Sequence, residues 1–256
     1  MMIDIHTHLL YETDDGCITI DETIELIKKA HKNGFSKIVF TPHYIEDSDF
    51  DKSVNENTKR FCLVKKRVEE LGVDIELYLG NEIYATDNIL SLIKQKKIKT
   101  INNSRYLLIE FPRLGSINDM ENTVHNLLIN NIVPIICHPE RYYVYQKEPE
   151  KLLDLIKQGA VIQVNSGSLL GLYGRAAKQT VAYFLKRDYV HIMSTDCHQS
   201  DLYESIDYVK KILNRIGGNR LIDTLLYHNP NRVINNEEIN TTIKHRSRGI
   251  FTYLRS

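Results

Sequence analysis

The sequence predicts an α/β fold in which seven successive β/α units close into a barrel. Two observations lead there. Apolar runs of strand length alternate with helical patterns along nearly the whole chain, and each apolar run ends in a polar side chain. No Gly/Ser-rich or Pro-rich linker and no internal repeat interrupts the alternation, so a single domain over 1–256 is expected.

The first strand is MMIDIH (1–6), followed by a helix over 21–33 with Gly34 just past its end. KIVFTPH (37–43) is the second strand, ahead of a charged amphipathic helix over 55–71. DIELYLGNE (74–82) is the third, with a short helix near 87–95. YLLIEF (106–111) is the fourth, with a helix at about 118–131, and IVPIICH (132–138) the fifth, with a helix near 149–158. AVIQVNS (160–166) precedes a helix at 174–187, and YVHIMSTDCH (189–198) precedes helices near 203–216 and 218–227. Strand then helix, seven times over, argues for parallel pairing through helical crossovers.

Composition narrows the function classes. The 256 residues carry 33 basic and 33 acidic side chains, and a chain without a basic surplus is not expected to bind nucleic acid. A hydrophobic fraction of 42% is that of an ordinary folded domain. No apolar run reaches the length of a membrane span, and no basic segment with an apolar signal core opens the chain, so no membrane insertion is expected. Cys17, Cys62, Cys137 and Cys197 are dispersed and form no C-x-x-C pair, which fits a reduced, cytoplasmic protein. From 239 to 256 there are no acids, whereas Lys244, Arg246, Arg248 and Arg255 are basic. That tail offers a contact to an acidic partner or to a second copy in a homo-oligomer, a solvated end being the simpler reading.

The strand ends hold the chemistry. His6 and His8, two apart, share one face of the first strand. His43 ends the second strand, Glu82 the third, Glu110 the fourth and His138 the fifth. Asn165 and Ser166 end the sixth, Asp196 and His198 the seventh, and Asp15 sits in the TDDGC loop after the first. A barrel gathers such ends at one mouth, where barrel active sites lie; an open doubly wound sheet would spread them too widely. A lone histidine at a strand end is usually no more than a polar residue, and H-x-H alone is a weak motif. The strict register of all these ends is what indicates a metal site. Five histidines and four carboxylates exceed the needs of one tetrahedral ion. They suffice for two or three ions if Glu82 and Glu110 bridge. Imidazole and carboxylate donors without thiolate suit manganese, iron or zinc better than calcium.

The segments DIHTH, TPH, GNEIY, IEF, HPERY, VNSGSLLG and STDCH resemble the PHP (polymerase and histidinol phosphatase) superfamily. Their order and the DDG loop are more closely similar to its bacterial manganese-dependent protein tyrosine phosphatases of the CpsB/YwqE type, which act in capsule and exopolysaccharide regulation. The resemblance runs from residue 2 to about 235. It implies a distorted seven-stranded (β/α)7 TIM-like barrel with a trinuclear centre, Mn²⁺ being the expected ion. By motif, His6, His8, Glu82 and Asp196 would hold the first ion. Glu82, Glu110 and His138 would hold the second, and Asp15, His43 and His198 the third. Many superfamily members have histidine where this chain has Asp15, which favours the tyrosine phosphatase group.

The implied chemistry is attack on phosphorus by a metal-activated hydroxide, at a site left with a net charge of about +2 when three divalent ions meet four carboxylates. Arg141 of HPERY would grip a phosphoryl oxygen, as the arginine of that motif does in the family, whereas its plain reading is a salt bridge to Glu140. Asn165 would hydrogen-bond within the mouth, as a substrate contact or behind the ligands. The family pattern has a second arginine soon after D-x-H, which DCHQSDLYES lacks; Tyr203 stands near that place and Lys210 and Lys211 follow. That departure puts rate or substrate preference in doubt, not the metal site. No cysteine has arginine six positions on, so thiolate phosphatase chemistry is not expected. His31, His125, His191 and His228 read as structural or solvated, and Cys197 as packed. Tyr142, Tyr143 and Tyr145 read equally as a peptide groove or as packing.

The expected partner is a phosphotyrosine protein, the tyrosine-rich tail of a bacterial tyrosine kinase. The alternative is a small-molecule phosphatase such as one acting on histidinol phosphate, which a closed pocket would favour over an open mouth. An amidohydrolase would usually have lysine where Glu110 stands, and a degenerate binding module would have lost ligands.

Overall fold

The computed structural model describes residues 1–198 and 202–243. Nine strands are formed among them: β1 (Met2–Asp4), β2 (Phe35–Phe40), β3 (His43–Tyr44), β4 (Glu76–Leu79), β5 (Glu82–Tyr84), β6 (Tyr106–Glu110), β7 (Val133–Cys137), β8 (Val161–Asn165) and β9 (Ile192–Ser194). All pairings are parallel, in two sheets ordered β1-β2-β4 and β3-β5-β6-β7-β8-β9. The α-helices are α1 (Ile20–Lys32), α2 (Val54–Glu70), α3 (Ile89–Lys94), α4 (Ile117–Ile129), α5 (Tyr143–Lys147), α6 (Leu152–Gln158), α7 (Ser166–Leu170), α8 (Gly174–Lys186), α9 (Ile206–Asp223) and α10 (Asn229–Ile234). None of them is long and apolar enough to cross a membrane.

The second and third expected strands are each cut in two, and Pro42 is the cause. Phe40 pairs with Leu79 before the break and His43 with Glu82 after it, so the register is the same on both sides. Gly80 N donates to Phe40 O, and the next rung would need an N–H that Pro42 lacks. Glu82 N then donates to Pro42 O at 3.1 Å and pairing resumes. The two sheets are also joined at their other margin. Thr7 bridges Cys197 in parallel, with Asp196 N donating to His6 O and His8 N to Cys197 O. The seventh expected strand is reduced to Ile192–Ser194, and beyond its end Asp196 takes a left-handed backbone, φ 55°.

The helices form where the apolar spacing and caps direct them. α1 opens on a capping box, Thr19 with Glu22, and buries Ile24, Leu26, Ile27 and Ala30. α2 repeats the device with Ser53 and Glu56. The short helices α5, α7 and α10 were not expected, since five or six residues give too little periodicity to read. The expected boundary at 217–218 is a kink at Gly218 inside one long helix, φ 68°. One apolar cluster fills the space between sheets and helices. A smaller one gathers Ile3, Val39, Leu108, Ile135, Val161 and Ile192 from six strands. Leu108 and Val161 stand two and four residues before Glu110 and Asn165, so strand alternation sends each pair to one side, apolar floor below and polar rim above. The basic residues Lys244, Arg246, Arg248 and Arg255 lie outside the described residues.

Candidate metal centre

Glu82, at the start of β5, is the hub of the site. Its Oε2 lies 3.1 Å from His6 Nε2, His8 Nε2 and His43 Nδ1 alike, and its Oε1 lies 3.0 Å from His138 Nε2. Asp196 Oδ1 approaches the same two imidazoles, 3.3 Å from His6 Nε2 and from His8 Nε2. Toward solvent, Asp15 Oδ1 lies 3.3 Å from His198 Nε2 and 3.8 Å from His43 Nε2. Glu110 Oε1 is 3.9 Å from His138 Nε2. All of the histidines and carboxylates singled out at strand ends thus come together.

Donor atoms within 4.8 Å of one another fall into overlapping groups. One is His6, His8, Glu82 and Asp196; a second is His8, Asp15, His43 and His198. The others are Glu82, Cys137 and His138, and His43, Glu82 and Glu110. The family grouping differs in three respects: His8 also reaches the Asp15 group, Cys137 joins Glu82 and His138, and Glu110 groups with His43 and Glu82 while standing 3.9 Å from His138.

Two of these residues reach the site through unusual backbone. His138 (φ 36°) and Asp196 (φ 55°) are left-handed, a conformation that costs non-glycine residues energy and that histidine and aspartate visit more than most. Both follow a strand, and the turn redirects their side chains across the sheet end. Another constraint lies in the loop after β1. A Cβ on Gly16 would sit 1.8 Å from His8 O, so only glycine lets this loop fold back on His8.

The hydrogen-bond polarity behind the cluster can be traced from one carboxylate. Asp196 Oδ2 must accept, so Asn165 Nδ2 donates to it at 2.6 Å. Asn165 Oδ1 therefore accepts from Gln163 Nε2 at 2.9 Å, which leaves Gln163 Oε1 to accept from His6 Nδ1 at 3.0 Å. His8 Nδ1 likewise donates to Asp14 Oδ2 at 2.6 Å. With both Nδ1 atoms protonated, neutral His6 and His8 turn bare Nε2 lone pairs toward each other at 3.2 Å, beside two carboxylate oxygens. Such a focus of electron pairs needs a cation, either a metal ion or protons. Glu82 Oε2 and His43 Nδ1, 3.1 Å apart, are buried without a hydrogen bond, as donors awaiting an ion would be. The residues present fit a divalent metal.

The electrostatics agree. Burial would depress His6, but Glu82 and Asp196 outweigh it and lift it to about 9. His8 rises well above its ordinary value against the same burial, chiefly through Asp14. Burial would raise Glu82, yet His6, His43 and His138 hold it well below the carboxylate range. Glu110 goes the other way, to about 7, through burial and the nearby charge of Glu82. Without metal the cluster keeps protons that an ion must displace.

Arg141 stands beside this centre. Its Nη1 donates to Asp196 Oδ2 at 3.1 Å and its guanidinium lies over the Tyr173 ring. Glu140 is not its close partner: fully buried, it accepts from Asn165 N at 2.9 Å. Asn165 is itself buried, with its side-chain amide engaged at both ends. Tyr203 is buried against Phe35, Lys210 pairs with Asp207, and Lys211 lies over Tyr208. Tyr142 and Tyr145 are core residues while Tyr143 is exposed, and Cys197 is packed. His191 accepts a bond from Ile162 N, and His31, His125 and His228 are exposed.

Sequence reasoning passed over Asp14, Gln163, Glu140 and Cys137. Gln163 had a signal, being two residues from Asn165 on one strand. Asp14 had none that set it apart from Asp15. Cys137 donates to Glu82 Oε1 at 2.8 Å from the floor of the site.

Residues 2–235 match the family described as Capsular polysaccharide synthesis, CpsB/CapC. The chain belongs to that family. It is 30% identical over 244 residues to the tyrosine-protein phosphatase CpsB of Streptococcus agalactiae, covering 93% of this chain and 100% of that protein. It is 34% identical over 197 residues to the putative tyrosine-protein phosphatase CapC of Staphylococcus aureus, 77% of each chain. Among solved structures it is similar to one from a study of YwqE from Bacillus subtilis and CpsB from Streptococcus pneumoniae, described as unique metal-dependent tyrosine phosphatases. The TM-score is 0.82 at 25% identity, over 95% of this chain and 97% of that one.

Proposed function

We infer that this chain is a metal-dependent protein tyrosine phosphatase acting in capsular or exopolysaccharide synthesis. The observation that carries the reading is the convergence of four imidazoles on the one buried carboxylate of Glu82, in a chain of the CpsB/CapC family. Its fold is read as a distorted seven-stranded barrel, a single domain over 1–256. The constant register across Pro42 and the Thr7–Cys197 bridge support the closure.

His6, His8, Asp15, His43, Glu82, Glu110, His138, Asp196 and His198 are assigned as metal ligands, with Mn²⁺ as the expected ion. Divalent ions held there would polarise the phosphoryl oxygens and bring the pKa of water down toward about 7. Gln163 and Asp14 orient His6 and His8, and Asn165 holds Asp196. Arg141 binds a phosphoryl oxygen with the guanidinium nitrogens left free by Asp196.

An open mouth favours a protein substrate over a small molecule. The Asp15 side chain is 55% exposed and that of His198 30%, so the outer ligands are within reach of a tyrosine on a peptide. The proposed partner is a phosphotyrosine protein, in particular the tail of a bacterial tyrosine kinase. A reduced, cytoplasmic setting is proposed from the dispersed placement of Cys17, Cys62, Cys137 and Cys197 in the sequence.

The test is hydrolysis of a phosphotyrosine peptide by metal-stripped protein with Mn²⁺ restored, beside histidinol phosphate. Manganese-dependent turnover of the peptide is expected. Turnover of histidinol phosphate alone would overturn the tyrosine phosphatase reading while keeping a phosphatase.

A further inference from the structure

The stretch GSLLGLYG (167–174), the end of α7 and the turn into α8, has been used above only as part of a family motif, yet it delivers one aromatic ring to the edge of the site. The Tyr173 ring centroid lies 4.6 Å from the guanidinium carbon of Arg141. A second observation shows that the ring's seat is shaped for it. A Cβ on Gly167 would stand 3.0 Å from Tyr173 Cε2, so the ring rests close against that backbone and an added side chain would crowd it by a few tenths of an ångström. Gly171 and Gly174, both left-handed, bracket the turn that presents the ring. Tyr173 stays 37% exposed, so it is a wall of the opening rather than a core residue.

Arg141 needs such a wall. Its side chain is 17% exposed, and among the described residues its ion pair is the 3.1 Å contact with Asp196, an acid already engaged by Asn165 and close to two imidazoles. An arginine held at one nitrogen can still swing about that contact. The Tyr173 ring beneath the guanidinium carbon limits that swing, and the nitrogens not held by Asp196 remain for bidentate capture of a phosphoryl group.

We propose that Tyr173 is a positioning residue that clamps the Arg141 guanidinium for phosphoryl recognition, the α7–α8 turn of GSLLGLYG being the part of the fold that builds the clamp. This deepens the phosphatase reading and rests on it for the role of Arg141. The ring supplies the effect, so phenylalanine should serve and alanine should not. A cation–π contact of this kind is worth roughly a 3- to 30-fold change in binding.

The experiment is a double-mutant cycle of Tyr173→Ala and Arg141→Ala, with Tyr173→Phe as the conservative control, on manganese-loaded protein. Two readouts are taken: the dissociation constant of inorganic phosphate by calorimetry, and KM and kcat for a phosphotyrosine peptide. Tyr173→Ala should weaken phosphate about tenfold and raise KM to match, with kcat changed less. Tyr173→Phe should lie within about twofold of the parent, and Tyr173→Ala should change nothing further once Arg141 is alanine. Equal losses in both backgrounds, an unaltered phosphate affinity in Tyr173→Ala, or no phosphate binding by the parent would each overturn the clamp. The calorimetric arm needs no turnover. A parent that binds phosphate but leaves the peptide intact therefore counts against the phosphatase reading and not against the clamp.

Discussion

His8 Nδ1 lies 2.6 Å from Asp14 Oδ2, and the same oxygen accepts from His43 N at 2.8 Å. One buried carboxylate thus fixes the ring of one proposed ligand and the backbone of another. Asp14 Oδ1 also accepts from Gly16 N, which ties the loop after β1 to the cluster. Partners of this kind set the tautomer and aim of a metal-binding imidazole. Asp14→Ala should weaken Mn²⁺ binding about 10- to 100-fold while the circular dichroism spectrum stays native. An unchanged manganese affinity would show that His8 is aimed by its packing alone.

Gln163 and Asn165 predict a coupled pair. Both transmit one chain of hydrogen bonds from Asp196 to His6. Removing either breaks the chain, so Gln163→Ala and Asn165→Ala should each weaken the metal, and the double variant should cost little more than the worse single one. Coupling of about 1 kcal/mol or more in manganese titrations is the expected result, and simple additivity would mean that the two residues act separately.

The strand-end residues were legible because alternation leaves few places for them. A polar side chain that closes a continuous apolar run stands at the sheet end, and His6, His43, Glu82, Glu110 and His138 all meet there. The rest depends on information that a linear pattern lacks. Asp14 and Asp15 are adjacent acids, yet one side chain is fully shielded and the other 55% exposed, a choice made by the fold of the loop on Gly16. Glu140 and Arg141 are also adjacent. The left-handed His138 and the turn over Pro139–Arg141 send them apart, one into the core and one to Asp196. Tyr203 illustrates the converse, since its place after D-x-H suggested the mouth whereas its ring packs against Phe35. The alternation of parallel strands and helices is visible in the sequence, and its interruption at Pro42 follows from the proline itself.

Gly16 yields a prediction about stability and metal together. A methyl group there would collide with His8 O, and neither backbone segment is a flexible end that can swing away. Gly16→Ala should lower the stability in urea by about 1–3 kcal/mol and weaken Mn²⁺ binding in the same variant. Loss of stability with intact metal affinity would mean that the loop yields without moving His8.

His191 makes the pH dependence of stability testable away from the metal. It is buried, its Nδ1 accepts from Ile162 N at 3.0 Å, and burial lowers it from 6.5 to about 4. An unprotonated ring is what the fold requires, because protonation would replace that acceptor with a second donor facing the Ile162 N–H. Between pH 6.5 and about 4 the unfolded chain therefore binds a proton that the folded one refuses. The unfolded state holds more protons in that window, so stability rises with pH across it. His191's contribution is fully present above 6.5, is reduced by about 2 kcal/mol at pH 5, and by about 3 kcal/mol below 4. His191→Asn retains an acceptor for Ile162 N but cannot titrate. Urea unfolding at pH 7.5 and pH 5.0 should show the variant losing about 2 kcal/mol less than the parent on acidification. The comparison cancels the carboxylates and imidazoles of the metal cluster, which titrate alike in both proteins. Equal losses would mean that His191 is protonated in the fold at pH 5 and that its bond to Ile162 does not fix its state.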